Sequence, residues 1–224
     1  MINFSIQELV NKTVREGRGE RKEIHSWHPS KLGSCLTGVY LERTGAEPDE
    51  PIDDRTLRVF SVGTMMENWL VGALEKQYAG IKRQVRVESA ELGVSGYADL
   101  VVSLPDGKER VYEVKSKHSK SFWYMEKKGE GANVHHKMQL WLYLKLLNVE
   151  SGNLVYVSKD DLAILEYPIF RDDAELEGLV MEELKILNEA WAKQIPPPPI
   201  TDPTNWKSRY CAYHKSCLKY AKGN

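Results

Sequence analysis

The chain has little of what would place it outside the cell or in a membrane. Its 224 residues include three cysteines, Cys35, Cys211 and Cys217. Three is too few, and odd in number, for a disulfide framework, so a reducing intracellular setting is expected. No apolar run approaches the ~18 residues that a membrane span requires. The segment Met1 to Ser5 lacks the basic and then apolar regions of a secretory leader. The expected location is the cytoplasm, or a host cytoplasm if the chain is phage-encoded, with no membrane partner. There is no excess of either charge: 31 basic residues stand against 32 acidic ones, a net charge of −1. That excludes a histone-like polycation, so nucleic-acid binding would rest on a local basic surface and on metal ions. Internal repeats and long low-complexity tracts are also absent.

The composition that remains, 42% hydrophobic and 28% charged, is that of a soluble globular domain able to bury a core without staples. Ser5 to Glu16 carries Ile6, Leu9, Val10 and Val14 on one helical face. Gly17 to Glu23 reads as a charged break. A second helix is expected from Ser30, as N-cap, to Arg43, closed by Gly45. An acidic, proline-containing loop, Ala46 to Asp54, leads into a long helix from Arg55 to Tyr78, with apolar residues at Leu57, Phe60, Met66, Leu70 and Leu74. The period then changes. Ile81 to Val87 alternates as a strand does, and Val94 to Leu104 and Arg110 to Lys117 form a hairpin about the turn Pro105-Asp106-Gly107-Lys108. A lysine-rich connector precedes a helix from Asn133 to Leu147. Leu154 to Ser158 and Ala163 to Tyr167 form another strand pair, and Asp172 to Gln194 a long helix that Pro196 to Pro199 ends. The expected fold class is α/β: about five strands flanked by helices. One domain is expected over 1–224, with an N-terminal helical arm (1–54), a core (55–195) and a C-terminal annex (196–224).

The chemistry concentrates in the hairpin. Asp99 follows Gly96-Tyr97-Ala98 and precedes Leu100-Val101-Val102. A carboxylate in such apolar sequence is costly to bury unless it is paired or bound to a cation. Glu113 and Lys115 lie two apart in the next strand and therefore share a face. Asp99 and Glu113 suit a hard divalent cation, Mg²⁺ or Mn²⁺. An ion pair of either carboxylate with Lys115 is the structural alternative. Gln139 and Tyr143, four apart, share a helix face, and Glu67 lies on the long upstream helix.

These residues together resemble the PD-(D/E)XK nuclease superfamily and, within it, the RecB-like exonucleases. The matching elements are Gly63 to Glu67 on a helix, Gly96 to Asp99 on a strand, Glu113-Val114-Lys115 on the next strand and Gln139 to Tyr143 on a helix. The resemblance implies a restriction-endonuclease-like core with a central mixed sheet. It also implies hydrolysis of DNA phosphodiester bonds with a preference for single-stranded ends. Asp99, Glu113 and the Val114 carbonyl would hold Mg²⁺ or Mn²⁺, with Glu67 as a further ligand. Lys115 would position the attacking water, and Gln139 and Tyr143 would hold the substrate or the lysine. Lys117, Lys120, Lys127 and Lys128 would track the DNA backbone, while Trp123 and Tyr124 stack on unpaired bases or simply pack under a loop. Two other readings remain: a structure-specific endonuclease on the same fold, and a DNA-end-binding adaptor subunit, with protein partners in a DNA-processing complex.

At the chain ends, Cys35 and the pair Cys211 and Cys217 resemble the cysteines of CRISPR-associated RecB-like exonucleases and the AddB nuclease domain. Those families hold an iron–sulfur cluster with one N-terminal cysteine and a C-terminal C-x2-C-x5-C. Here Ser208 stands at the first position of that trio. A 4Fe–4S cluster ordinarily takes four thiolates. Ser208 or His214 is then the candidate fourth ligand, and a Cys₃His set also suits zinc. Three metal-free core cysteines are the remaining alternative.

Overall fold

The computed structural model describes residues 5–19, 23–202 and 204–221. The break expected over 17–23 and the C-terminal annex expected over 196–224 therefore lie partly outside the described residues. A five-stranded mixed sheet forms the centre, in spatial order β1 (Ile81–Ser89), β2 (Val94–Ser103), β3 (Glu109–Lys117), β4 (Ser151–Ser158) and β5 (Ile164–Phe170). Neighbouring strands pair antiparallel except β3 with β4, which run parallel. A parallel step needs a crossover. Here α4 (Ser119–Lys128) and α5 (Val134–Leu147) provide it.

Before the sheet come α1 (Ile6–Glu16), α2 (Leu36–Arg43) and α3 (Asp54–Glu75). After it come α6 (Ala174–Lys193), α7 (Trp206–Arg209) and α8 (His214–Ala221). α5 is buried at every position from Met138 to Tyr143 and on to Leu144, as a helix apolar all round must be. A large core joins α2, α5 and α6 to the sheet. A smaller one packs Met66 and Val71 of α3 on Leu100, Val114, Val155 and Val157.

Three expectations are corrected. The helix expected from Ser30 to Arg43 is broken: Pro29–Lys31 is a single 3₁₀ turn, Leu32 turns extended, and Gly33 takes φ +77° before α2 starts. A Cβ on Gly33 would meet His135 Cβ at 2.5 Å, so packing on α5 dictates the break. The lysine-rich connector is helical as α4, with Phe122 and Met125 turned inward and Gly129 ending it at φ +65°. Phe60, read as an apolar position of the long helix, is exposed.

The annex docks by capping. Asp49, in the acidic loop, accepts the amides of Lys215 and Ser216 at the start of α8, at 2.6 and 3.2 Å. Its own amide donates to the Ala212 carbonyl at 2.9 Å. A carboxylate at a helix N-terminus satisfies amides that the helix itself leaves unpaired.

Candidate active site

The hairpin of β2 and β3 opens where the candidate site residues Asp99 and Glu113 stand. Hydrogen-bonded pairing of β2 with β3 runs from Ser103 opposite Glu109 to Leu100 opposite Tyr112 and stops there. One residue further, the strands diverge at Asp99 and Glu113. Asp99 substitutes a side chain for the lost ladder bond: its Oδ2 accepts the Val114 amide at 3.0 Å. The Val114 contact seen here is thus through its amide.

Glu113 is 1% exposed. Its Oε1 accepts from Lys115 Nζ and from Gln139 Nε2, each at 2.7 Å. Gln139 Nε2 also donates to Tyr143 Oη at 3.1 Å. The i, i+4 pair on α5 and the i, i+2 pair on β3 therefore meet as one hydrogen-bonded chain. Burial pushes the Glu113 carboxyl up to about 8 against the pull of Lys115. Burial alone would lower Lys115, but the charges of Glu113, Asp99 and Glu67 outweigh it, and the ammonium is held above its usual value. Tyr143 is raised, by burial first and then by Glu113.

Glu67 approaches from α3. Burial, and then Asp99, raises its carboxyl above the ordinary range. Gln84, which the sequence reading did not select, bridges the two acids: its Nε2 donates to Glu67 Oε1 at 3.1 Å and to Asp99 Oδ1 at 3.4 Å. Gln84 lies opposite Asp99 between the paired residues Arg83 and Val85, and holds φ +46°. That backbone is costly for a residue with a Cβ. Its only sequence signal is a polar residue inside an alternating strand.

Two glycines make the approaches possible. A Cβ on Gly63 would stand 3.3 Å from Ser116 Oγ, so the glycine lets α3 close on β3. A Cβ on Gly96 would meet Pro29 Cδ at 2.9 Å and Tyr143 Cε1 at 3.6 Å.

The donor set fits a hard cation. Glu113 Oε2 is buried and has no hydrogen-bond partner. A buried carboxylate oxygen left so is costly, and a divalent ion is the natural partner for it and for Asp99 and Glu67. The three carboxylates do not, however, converge within 4.8 Å of one another. Among the described residues the trio that does is Cys35, Cys211 and Cys217.

A model of the PD-(D/E)XK nuclease superfamily matches residues 42–218. The chain belongs to that superfamily. It is 29% identical over 135 residues to the CRISPR-associated exonuclease Cas4 of Saccharolobus solfataricus, a match spanning 60% of this chain and 57% of that protein. Among solved structures, SSO0001 aligns with a TM-score of 0.62 at 24% identity, over 98% of each chain. The alkaline exonuclease of Laribacter hongkongensis aligns at 0.54 and 15% identity, over 82% of this chain and 96% of that one.

The basic residues expected around the site of this PD-(D/E)XK chain occupy the end of β3 and α4. Lys117 is partly buried, 5.6 Å from the centre of the Tyr156 ring, and burial, then Lys115, lowers its ammonium. On α4, Lys120, Lys127 and Lys128 are exposed, as are Trp123 and Tyr124 at 45% and 37%. The two rings stand edge to face at 5.2 Å, and Lys128 Nζ lies 5.5 Å from the Trp123 ring centre. They do not pack under a loop.

The cysteines come together from both ends of the chain. Cys217 Sγ lies 4.0 Å from Cys35 Sγ and 3.9 Å from Cys211 Sγ. The hydrogen bonds of Cys211 and Cys217 lower the Cys35 thiol, and those of Cys211 and Cys35 raise Cys217. Ser208 and His214, the candidate fourth ligands, bond to each other: Ser208 Oγ and His214 Nδ1 are 3.0 Å apart.

Proposed function

We propose that this chain is a divalent-metal-dependent deoxyribonuclease that hydrolyses phosphodiester bonds at single-stranded DNA ends. The observation that carries the reading is the buried Glu113, with one oxygen held by Lys115 and Gln139 and the other without a partner. The membership in a nuclease superfamily and the likeness to a Cas4 exonuclease support it. Asp99, Glu113, Glu67 and the Val114 carbonyl would hold Mg²⁺ or Mn²⁺, which supplies a polarised phosphate and a bound water of lowered pKa.

The chain's own residues then divide the work. The Lys115 ammonium, fixed at 2.7 Å from Glu113, offsets charge that grows on the phosphate and orients the attacking water. Gln139 fixes the Glu113 rotamer from one side, and Tyr143 fixes Gln139. Phe122 and Met125 anchor α4 in the core. The helix then presents Trp123 and Tyr124 to unpaired bases, with Lys120, Lys127 and Lys128 along the backbone.

The test is digestion of end-labelled linear single- and double-stranded DNA, and of circular single-stranded DNA, with Mg²⁺, Mn²⁺ or EDTA. Mononucleotide release or progressive shortening of the linear single strand, stopped by EDTA and absent on the circle, supports the reading. Cleavage of the circle makes the chain an endonuclease. Binding of ends without cleavage in either metal makes it an adaptor.

A further inference from the structure

The three cysteine sulfurs are spaced as ligands of a single ion would be, and they are one thiolate short of an iron–sulfur cluster's usual four. Two of their separations are 3.9 and 4.0 Å, and all three lie within 4.8 Å of one another. A single tetrahedral zinc ion with Zn–S near 2.3 Å places its thiolates about 3.8 Å apart. A 4Fe–4S cluster takes one thiolate on each of four separate irons, which spreads them further apart, and it takes four of them. The chain has three cysteines in all. The fourth cluster position falls on Ser208, whose Oγ is already shared between His214 Nδ1 at 3.0 Å and the Ile200 carbonyl at 3.4 Å.

The surroundings are shaped for the sulfurs. A Cβ on Gly38 of α2 would stand 2.5 Å from Cys211 Sγ, so only glycine there admits the sulfur. Among the described residues, no histidine or carboxylate joins the trio within 4.8 Å. A cavity of about 690 Å³ opens beside it, lined by Cys35, Gly38, Cys211, Trp206 and Lys207 among others.

We infer that the annex binds one zinc-type divalent ion through Cys35, Cys211 and Cys217, in place of an iron–sulfur cluster, with the fourth position facing the cavity and occupied by water. The ion ties the start of α2, through Cys35, to α8 and the turn before it, through Cys217 and Cys211, and closes the loop between Cys35 and Cys217. Loop closure of that length, and the coupling of metal affinity to folding, make it a fastener of the annex.

The test reads metal, not nuclease activity. Protein purified without chelator and without oxygen is analysed for zinc, iron and acid-labile sulfide, and the ion is then exchanged for Co²⁺. The expected result is about one zinc per chain and no sulfide, with the visible bands of tetrahedral thiolate-bound Co²⁺. Cys211→Ser and Gly38→Ala should each empty the site, the second without removing a sulfur. His214→Ala should keep the ion. The Co²⁺ spectrum of the unaltered chain decides the question even where a variant fails to fold. Brown protein with about four irons and sulfide per chain, protein with neither metal, or loss of zinc in His214→Ala would overturn the inference.

Discussion

Replacing Glu113 by Gln should change how stability depends on pH in a calculable way. In the metal-free protein, burial holds the Glu113 carboxyl at about 8, against an ordinary 4.5. Between those values the folded chain keeps a proton that the unfolded chain has released. Stability from this group is therefore complete at low pH and lost as pH rises toward 8, at up to ~1.4 kcal/mol per pH unit. From pH 6 to pH 8 the loss comes to about 2 kcal/mol, because the group is half ionised at the upper limit. For a chain of this size that is roughly 4–8 °C in Tm. His135 and His136, which burial lowers to about 4 and about 2, pull the other way below their unfolded value, and the thiols titrate as well. Both effects are common to the wild type and the variant and cancel in the difference. The assay is thermal melting of both proteins in EDTA at pH 6, 7 and 8. The Tm of the wild type minus that of Glu113→Gln should fall by those few degrees across the range. A constant difference would mean that Glu113 is ionised throughout, and the account of a protonated buried carboxyl would be wrong.

Lys115→Ala should lower single-turnover cleavage at saturating DNA by at least ~100-fold with little change in Kd, since its proposed role lies near the transition state; a parallel loss of affinity would reassign it to binding. Gly96→Ala should cost ~1–3 kcal/mol in denaturant unfolding, because its Cβ must displace Pro29, 2.9 Å away, in a packed interior; an unchanged midpoint refutes that. Gln84→Gly should weaken Mn²⁺ binding, read by calorimetry, yet leave the Tm unchanged or higher, because glycine relieves the φ of +46° while removing the bridge between Glu67 and Asp99; a lowered Tm would show the side chain to be structural. Trp123→Ala should reduce affinity for single-stranded DNA by ~1–3 kcal/mol and leave duplex binding nearly unchanged, as loss of a stacking platform does; equal losses on both substrates would rule stacking out.

What could be read in the sequence was whatever local period determines. Strand alternation alone puts Glu113 and Lys115 on one face, and their 2.7 Å contact follows from it. The helix period does the same for Gln139 and Tyr143. Features set by distant neighbours left no local mark. The break at Gly33 is imposed by His135 on α5, about a hundred residues on. The early start of β4 depends on Gly152 lying against the Val111 carbonyl, where a Cβ would stand at 2.5 Å. α4 was hidden because its lysines outnumber the two apolar residues that anchor it. The site shows the same division. The sequence names Asp99 and Glu113, but only the sheet register shows that both lie one step beyond the last ladder pair, Leu100 with Tyr112. There a strand that continued its pairing would use backbone acceptors. The divergence instead lets the Asp99 side chain take the Val114 amide and leaves one Glu113 oxygen buried without a donor. The candidate site is an interruption of the sheet, so its residues can be read from the strands, while the buried unpartnered oxygen appears only when the strands are placed side by side.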